Sequence, residues 1–447
     1  MKDLTQGNIY KTYLLFALPL MLAGLLSQAY AIVDTVIAGR FLGDAGLSAI
    51  GATSELVTLA SSAFWGICAG LGMLTASLFG AGQYEKLKNT LYSTFFAFSL
   101  VIMTLSVLMI LFREPIFDFL RVAPAVRAEA ARYFTAYIPG LALIVLNDFG
   151  LCTLNALGIS GFPFKMSLLS MVLNIAGNLL SVTVLDLGVL GLALSSVLAA
   201  LAVDVFYFFK IRRCLSELKV LHGAPTHISL RYVRDALVYA LPPGAQQAIM
   251  YLASFLILPI INGAGAAATA AYVVIMRIHE AVACVFQNSS KTLSNYVAQS
   301  VGAGKNHLLA KGLRVGLLQA LLFATPFVAL FALAPRATAG IFFPAGFEGE
   351  ALGYAITFAR VCLPFILINV VNNLFHSYFR GMAAGGLLLL STAVGAVSRL
   401  AITYLFAAHG MTGMFIGWVG SWIIEAVFCV LLYFFYIKRK HFPANAL

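Results

Sequence analysis

The residues that could do chemistry in this chain are a few ionisable side chains that interrupt long apolar runs. Asp34 lies deep in the first run. A bare charge near the middle of a membrane-spanning helix costs about 2.5–3.5 kcal/mol on insertion scales, so an acid there is a candidate for function. Burial favours the neutral carboxyl, which can then take up and release a proton. Alternatively, a protonated Asp34 only packs, by hydrogen bonding to Asn174, Asn178 or a tyrosine.

A second set of candidates forms a stripe along a later apolar run. Arg277, Glu280, Cys284, Gln287 and Lys291 follow one another at intervals of three or four residues, which is the spacing of one helix face. A stripe of this polarity cannot face lipid and should line a cavity or the protein interior. Arg277 and Glu280 either form a structural ion pair or contact a ligand, and Lys291 has no obvious acidic partner.

Other apolar runs carry further polar side chains. His376 could titrate in the physiological range, although a lone histidine in such a run is more often simply hydrogen-bonded. Arg399 either forms a structural ion pair with Glu425 or joins a larger polar network. The remaining candidates for the lining of a cavity are Gln28, Tyr30, Asp148, Asn369 and Asn373.

The composition identifies the kind of element that must hold these residues. Of the 447 residues, 61% are hydrophobic and 10% are charged, and the mean hydropathy is +0.95. Soluble chains have about 45–50% apolar and about 25% charged residues, so a water-soluble enzyme is excluded. The net charge of +11 has no clustered basic face behind it, which argues against nucleic-acid binding. The 6 Cys residues are scattered, and we expect neither a metal site nor a cofactor.

The apolar runs predict twelve membrane-spanning helices and an all-α integral membrane protein. Each run is long enough to cross a hydrocarbon layer, which takes about 20 residues. Most of the 28 Lys and Arg residues fall on the side of the N-terminus, which predicts a multi-pass protein of the plasma (inner) membrane with both termini cytoplasmic. The predicted spans are 13–39, 53–79, 90–112, 133–156, 166–185, 188–209, 237–261, 268–299, 313–334, 354–378, 386–408 and 412–436.

An internal repeat divides the chain in two. Five landmarks recur in order at an offset of about 223 residues, which is the signature of a duplicated unit. We therefore expect two six-helix lobes related by a pseudo-two-fold axis along the membrane normal, with an N-lobe at 1–210, a cytoplasmic linker at 211–234 and a C-lobe at 235–447. Two such lobes suit an alternating-access carrier. The repeated landmarks are Ala17-Leu18-Pro19 with Ala240-Leu241-Pro242, Gly80-Ala81-Gly82 with Gly302-Ala303-Gly304, Pro139 with Pro364, Gly158 with Gly381, and Gly191 with Gly413.

One family shares these motifs. The first span reads Pro19, Gln28, Asp34, Gly39-Arg40 and Gly43, is followed by Leu47, Ala49 and Gly51, and the second span ends in Gly80-Ala81-Gly82. Over essentially its whole length the chain resembles the multidrug and toxic compound extrusion (MATE) family. The single acid of the first span is similar to that of the DinF-type branch. The resemblance implies a secondary antiporter, not an enzyme, that exports amphipathic, cationic small molecules or drugs in exchange for protons or Na⁺.

The same resemblance implies an ion-coupling site made of Asp34, Asn174, Asn178 and Ser196. Asn178 stands where that branch usually has a second Asp, and Ser196 stands where it commonly has Thr. The loss of one charge should weaken a hard-cation site, so we expect at most a weak Na⁺ site at Asp34, Asn174 and Asn178 and favour proton coupling. The expected partners are small-molecule substrates, H⁺ and membrane lipids, and the expected state is a monomer.

An alternative cargo remains open at this point. The cationic side chains of the second half, Arg277, Lys291 and Arg399, would also suit the export or flipping of a lipid-linked or anionic metabolite by the same fold.

Overall fold

The computed structural model describes residues 1–119, 124–220, 226–343 and 348–437. Four of the basic residues whose distribution predicts the orientation in the membrane lie outside this part of the chain, namely Arg121, Lys438, Arg439 and Lys440. The side chains of 43–60, including the motif from Gly43 to Gly51, also lie outside it.

Within the described ranges the protein is helical and contains no strand, so the predicted all-α class is confirmed. Proline and glycine separate most of the helices, as expected for residues that interrupt or end a helix. The α-helices are α1 (Ile9–Gly80), α2 (Tyr84–Leu111), α3 (Arg113–Phe119), α4 (Pro124–Ala156), α5 (Gly161–Thr183), α6 (Gly188–Glu217), α7 (Leu230–Gly263), α8 (Ala266–Gly302), α9 (Leu309–Leu333), α10 (Pro335–Gly340), α11 (Glu350–Thr357), α12 (Ile366–Gly381), α13 (Gly385–Leu405) and α14 (Met411–Leu432).

Twelve stretches of the described helices are long and apolar enough to cross a membrane, as predicted. Two of them, Ile9–Tyr30 and Ser61–Gly80, belong to α1, and α11 and α12 together form one, Glu350–Gly381. Large apolar side chains on the helix surfaces are exposed, for example Leu100 at 69% and Leu111 at 70%. An apolar exterior of this kind is what a lipid environment accepts.

The chain divides into two compact units. The first comprises Met1–Asp3 and Leu22–Gly244, and the second comprises Leu4–Met21 and Ala245–Leu447. Helix α1 and helix α7 therefore each contribute residues to both units. The lobe boundaries predicted from the repeat, 1–210 and 235–447, stay a prediction.

In the first unit, glycine allows α1 to approach the backbone of α7. A Cβ atom added at Gly66 would stand 2.2 Å from the carbonyl oxygen of Pro243, and one added at Gly70 would stand 2.2 Å from that of Tyr239. No side chain fits at these distances. The two glycines lie one turn apart, in the small-xxx-small spacing that brings membrane helices together.

Side chains of α2 hold the segment that connects α6 to α7, also within the first unit. The buried Lys88 donates a hydrogen bond to the carbonyl of Val220 at 3.0 Å. The amide oxygen of Asn89 accepts one from the backbone N–H of His227 at 3.1 Å. Because side chains that pair these backbone groups take the place of water, both ends of the connection are fixed to α2.

In the second unit, the tenth span is interrupted. Between α11 and α12 the backbone forms a wide π-type turn over Phe358–Cys362 and a tight turn over Leu363–Phe365. Pro364 lacks the N–H that would continue the helix, which accounts for the break. Phe358, buried at the turn, packs edge-on against Trp418 of α14 with the ring centres 5.8 Å apart. The polar face of α12 begins directly after this break.

The repeat is also visible in the backbone. Gly82 and Gly304 end corresponding spans with φ of 70° and 68°, and Gly188 and Gly410 open corresponding helices with φ of 55° and 53°. These are left-handed conformations that glycine adopts without steric cost. The two halves therefore share turn geometry as well as sequence landmarks.

Candidate functional site

The polar residues predicted for the first unit meet between α1, α5 and α6. Asn174 and Asn178 lie one turn apart on α5 and are 3% and 0% exposed. Helix α6 approaches α5 closely because Gly177 and Gly191 lie at the contact. A Cβ at Gly177 would stand 2.9 Å from the hydroxyl of Ser195, and one at Gly191 would stand 2.5 Å from Cβ of Ser181. This close approach brings the next side chain of α6, Ser196, within reach of α5.

Four side chains form a continuous line of hydrogen bonds. Nδ2 of Asn178 donates to Oδ1 of Asp34 at 2.6 Å and to Oδ1 of Asn174 at 2.7 Å. Nδ2 of Asn174 donates to Oγ of Ser196 at 2.9 Å, and Oγ of Ser196 donates to the carbonyl of Leu192 at 3.1 Å. The structure thus brings together all four residues predicted for ion coupling, while their role stays a prediction.

The direction of these bonds matters for the charge on Asp34. Asn178 uses both of its N–H groups as donors, one of them toward the carboxyl of Asp34. A hydrogen bond to a charged group contributes about 1.5–3 kcal/mol, roughly twice a neutral one, so the contact is strongest when Asp34 is ionised. Oδ1 of Asn178 is buried and has no hydrogen-bond partner among the described residues. The network therefore keeps one open acceptor beside the carboxyl.

A cavity of about 270 Å³ adjoins this network in the first unit. Its wall includes Asn174 and Ser196 from the network, the carboxyl-bearing Asp148 of α4, and the rings of Tyr30 and Tyr137. The hydroxyl of Tyr30 also lies beside Ser196. Pockets for small molecules are about 300–1,000 Å³, so this space suits a small ligand or part of a larger one.

One buried acid of this unit, Asp204, was not among the candidates predicted from the sequence. Asp204 lies on α6, and both of its carboxylate oxygens are buried without a hydrogen-bond partner among the described residues. It interacts electrostatically with Asp148 across the interior of the unit. The signal was present, because Asp204 falls inside the predicted span 188–209. An ionisable residue within a span is a candidate for function by default.

In the second unit the stripe on α8 is only partly buried. Arg277, Gln287 and Lys291 are exposed, whereas Cys284 is buried. Nζ of Lys291 donates to Oδ1 of Asn288 at 3.2 Å. The stripe therefore presents positive charge at the surface of its unit.

The two ion pairs considered from sequence are not the pairs that the described residues form. Oε1 of the half-buried Glu280 lies 3.7 Å from Nδ1 of His279. The buried Arg399 lies over the ring of Trp418, 5.1 Å from its centre. Glu425 has His376 as its partner, with Nε2 and Oε1 3.1 Å apart.

The other predicted candidates occupy separate places. Asn373 donates to the carbonyl of Asn369 within α12 at 3.0 Å, and both side chains are half-buried. Gln28 is half-buried on α1. No group of three or more His, Cys, Asp or Glu side chains suited to a metal ion occurs in the described parts of the chain.

The sequence model of the MatE family matches this chain twice, over residues 19–180 and 242–405. The two matches cover most of the chain and begin at Pro19 and Pro242, a pair of repeated landmarks. The chain belongs to the MatE family. MatE proteins are membrane transporters of small molecules and drugs. The MATE resemblance is thereby confirmed, and the DinF-type branch stays a prediction.

Individual relatives agree with this MatE assignment. The probable multidrug resistance protein YoeA of Bacillus subtilis (strain 168) is 25% identical over 323 residues, which cover 70% of this chain and 69% of YoeA. A MOP superfamily transporter from Pyrococcus furiosus has a similar structure, with a TM-score of 0.88, 19% identity and coverage of 98% and 97% of the two chains. An outward-facing multidrug resistance MATE transporter gives a TM-score of 0.87 at 19% identity, over 97% of each chain. At this identity the structural similarity shows the MatE fold alone.

Proposed function

We propose that this MatE protein is a secondary antiporter that exports amphipathic cations in exchange for protons by alternating access. It would lie in the plasma (inner) membrane with both termini in the cytoplasm. The observation that carries the proposal is the hydrogen-bonded line from Asp34 to Ser196 beside the cavity of the first unit.

The network gives a physical reason for coupling protonation to helix position. Ionised Asp34 of α1 accepts a charge-assisted bond from Asn178 of α5, and protonation removes its charge. The contact then loses about half of its strength. Protonation therefore loosens α1 from α5, and deprotonation restores the contact. A proton bound on one side of the membrane can in this way bias the conformation.

The residue types favour protons over Na⁺ and cations over anions. The network has one carboxylate, and Na⁺ would need more oxygen ligands of higher charge than the amide of Asn178 supplies. In the cavity, the carboxyl of Asp148 and the rings of Tyr30 and Tyr137 suit an aromatic or lipophilic cation.

Transport in proteoliposomes tests the proposal. With a pH gradient imposed across the membrane, a fluorescent lipophilic cation should accumulate against its own gradient, and a protonophore should abolish the accumulation. A Na⁺ gradient without a pH gradient should have no effect. Accumulation driven equally by Na⁺ alone would contradict proton coupling.

A second cargo has its own supporting observation. Arg277 and Lys291 are exposed on α8, where they could attract an anionic or lipid-linked metabolite. The Pyrococcus furiosus transporter is described as having a binding pocket of reverse polarity that suggests a different function. An anionic analogue run in the same assay separates the two cargoes. Preference for the anion, lost in Lys291→Ala, would favour this candidate.

The hydroxyl at position 196 should contribute measurably to coupling. Ser196→Ala removes the acceptor for Asn174, and a neutral hydrogen bond contributes about 0.5–1.5 kcal/mol, so uptake at a fixed pH gradient should fall by about 2- to 12-fold. Ser196→Thr keeps the hydroxyl and should retain most of the activity. Equal rates for the Ala and Thr variants would show that this end of the network is not used.

A further inference from the structure

Five polar side chains from α7, α12 and α14 form a second buried line in the second unit. Nη2 of Arg380 donates to Oε1 of Gln246 at 2.9 Å, and Nε2 of Gln246 lies 3.0 Å from Nδ1 of His376. Nε2 of His376 lies 3.1 Å from Oε1 of Glu425, and Oε2 of Glu425 accepts from Nδ2 of Asn372 at 3.1 Å. Gln246, Asn372, His376 and Glu425 are 4%, 1%, 7% and 5% exposed. Apart from the half-buried Arg380, the line is therefore sealed from bulk water.

The line determines which nitrogen of His376 carries the proton. A guanidinium can only donate, so Gln246 must turn its oxygen to Arg380 and its NH₂ group to His376. Nδ1 of His376 then accepts, and in the neutral ring the proton lies on Nε2, which faces Glu425. A second proton, on Nδ1, would place two donors against each other, the new N–H and the NH₂ group of Gln246. In this tautomer the N–H of Nε2 faces the carboxylate of Glu425.

Glu425 is left as the group that can accept a proton. Oε1 of Glu425 and Nε2 of His376 face each other at 3.1 Å but out of line for a hydrogen bond, and neither atom has another hydrogen-bond partner among the described residues. Helix α13 covers the carboxylate closely, since a Cβ at Gly395 would stand 2.6 Å from it. Among the described residues, an ionised carboxylate here has two N–H neighbours and no ion-pair contact with a side chain that is permanently charged.

The surroundings of Glu425 include three other titratable or charged groups. Arg399 of α13 attracts it without forming an ion pair, and its guanidinium lies over Trp418. The thiol of Cys429, one turn further along α14, interacts with it electrostatically. His279 of α8 stacks on Trp422, with the ring centres 6.2 Å apart. Among these neighbours only Arg399 carries a fixed charge, so the charge on Glu425 is only partly compensated.

We propose that the His376–Glu425 pair is a proton-binding site of the second unit, with the proton taken up on the carboxylate of Glu425. When Glu425 is ionised, it accepts a hydrogen bond from Asn372 and attracts the N–H of His376 that faces it. When Glu425 is protonated, its carboxyl is neutral and attracts the N–H of His376 less strongly. Gln246 transmits this change to α7, the helix that contributes residues to both units.

The repeat provides independent support for the position. Glu425 and Asp204 are separated by about 221 residues, close to the repeat offset, so each half carries an acid at the same place on its last helix. Each acid interacts with the fourth span of its own half, Asp204 with Asp148 and Glu425 with Asn372 and His376. The acid is thus an element of both repeat units, and only the second unit pairs it with a histidine.

The role of this site in transport rests on the proposed proton antiport, but proton binding itself can be tested without transport. Infrared difference spectra between acid and alkaline pH, recorded on the purified full-length protein in lipid nanodiscs, report protonated carboxyl groups through their C=O band. We expect one such band to disappear in Glu425→Gln and to remain in Asp34→Asn. Glu350→Gln, at an exposed glutamate, is the matched control and should leave the Glu425 band in place.

Two further variants separate a proton site from a merely structural contact. His376→Asn removes one N–H neighbour and should move the pH midpoint of the Glu425 band by about one unit, since about 1.4 kcal/mol corresponds to one pH unit. Gln246→Glu places an acceptor opposite Nδ1, so His376 should take the proton and the band should weaken. Because Gln246→Glu leaves Glu425 in place, this variant still tests the proton site if Glu425→Gln does not fold.

Two results would overturn the inference. A folded Glu425→Gln protein with an unchanged carboxyl band would show that Glu425 does not titrate. An unchanged band in Gln246→Glu would show that Gln246 does not control where the proton lies. Because no substrate or gradient is used, a failure here leaves the antiport proposal standing, and a failure of antiport leaves this result interpretable.

Discussion

Replacing Asp34 by Asn should abolish accumulation driven by a pH gradient. One coupled proton in a gradient of two pH units supplies about 2.7 kcal/mol, which supports about 100-fold accumulation of a substrate. Asn cannot bind or release a proton but has the shape of Asp and can still meet Asn178. Accumulation in proteoliposomes should therefore fall from as much as about 100-fold to about onefold.

The same substitution should leave substrate binding largely intact. Asp34 is not part of the cavity wall, so the affinity for a lipophilic cation, measured by calorimetry, should change by less than about tenfold. Asp186→Asn is the matched control, because Asp186 is exposed and its left-handed backbone suits Asn. Undiminished uptake by Asp34→Asn with the same dependence on pH would show that the coupling site lies elsewhere.

The second large effect concerns the contact between α1 and α7. Gly70→Val should lower the free energy of unfolding by about 3 kcal/mol or more, because an added Cβ would stand 2.2 Å from the carbonyl oxygen of Tyr239 and backbone cannot move aside cheaply. The loss should appear as a lower midpoint of thermal unfolding in detergent and a lower yield of folded protein.

A glycine without neighbours provides the control for this prediction. Gly353 in α11 has no atom of a described residue within 4 Å of an added Cβ, so Gly353→Ala should be neutral or more stable by up to about 1 kcal/mol. If Gly70→Val and Gly353→Ala unfold at the same temperature, the close approach of α1 to α7 does not contribute to stability.

The spans could be predicted from sequence because an apolar run of sufficient length has one stable arrangement in a bilayer. The contact between Asn174 and Asn178 was also accessible, since residues four apart share a helix face. Contacts between helices were not accessible in this way. Glu425 and Arg399 looked like partners, yet the rotation of α14 turns Glu425 to His376, and Arg399 lies over Trp418.

Two further features depended on packing that no local pattern encodes. The orientation of Gln246 follows from Arg380, which is more than a hundred residues away in the chain, so the tautomer of His376 could not be predicted from spacing. The acid at Asp204 was visible in the sequence, but the burial of both of its oxygens was not.

One proton-binding acid in each unit, Asp34 and Glu425, would have a consequence for the energy source of transport. A cycle that exchanges one proton for one monovalent cation moves no net charge, so the electrical potential across the membrane neither helps nor opposes it. If Asp34 and Glu425 each release a proton per cation, one net charge crosses the membrane in every cycle. A potential of about 100 mV then adds about 2.3 kcal/mol to the driving force. A second coupled proton, bound at Glu425, would thus make an electrically silent exchanger respond to voltage.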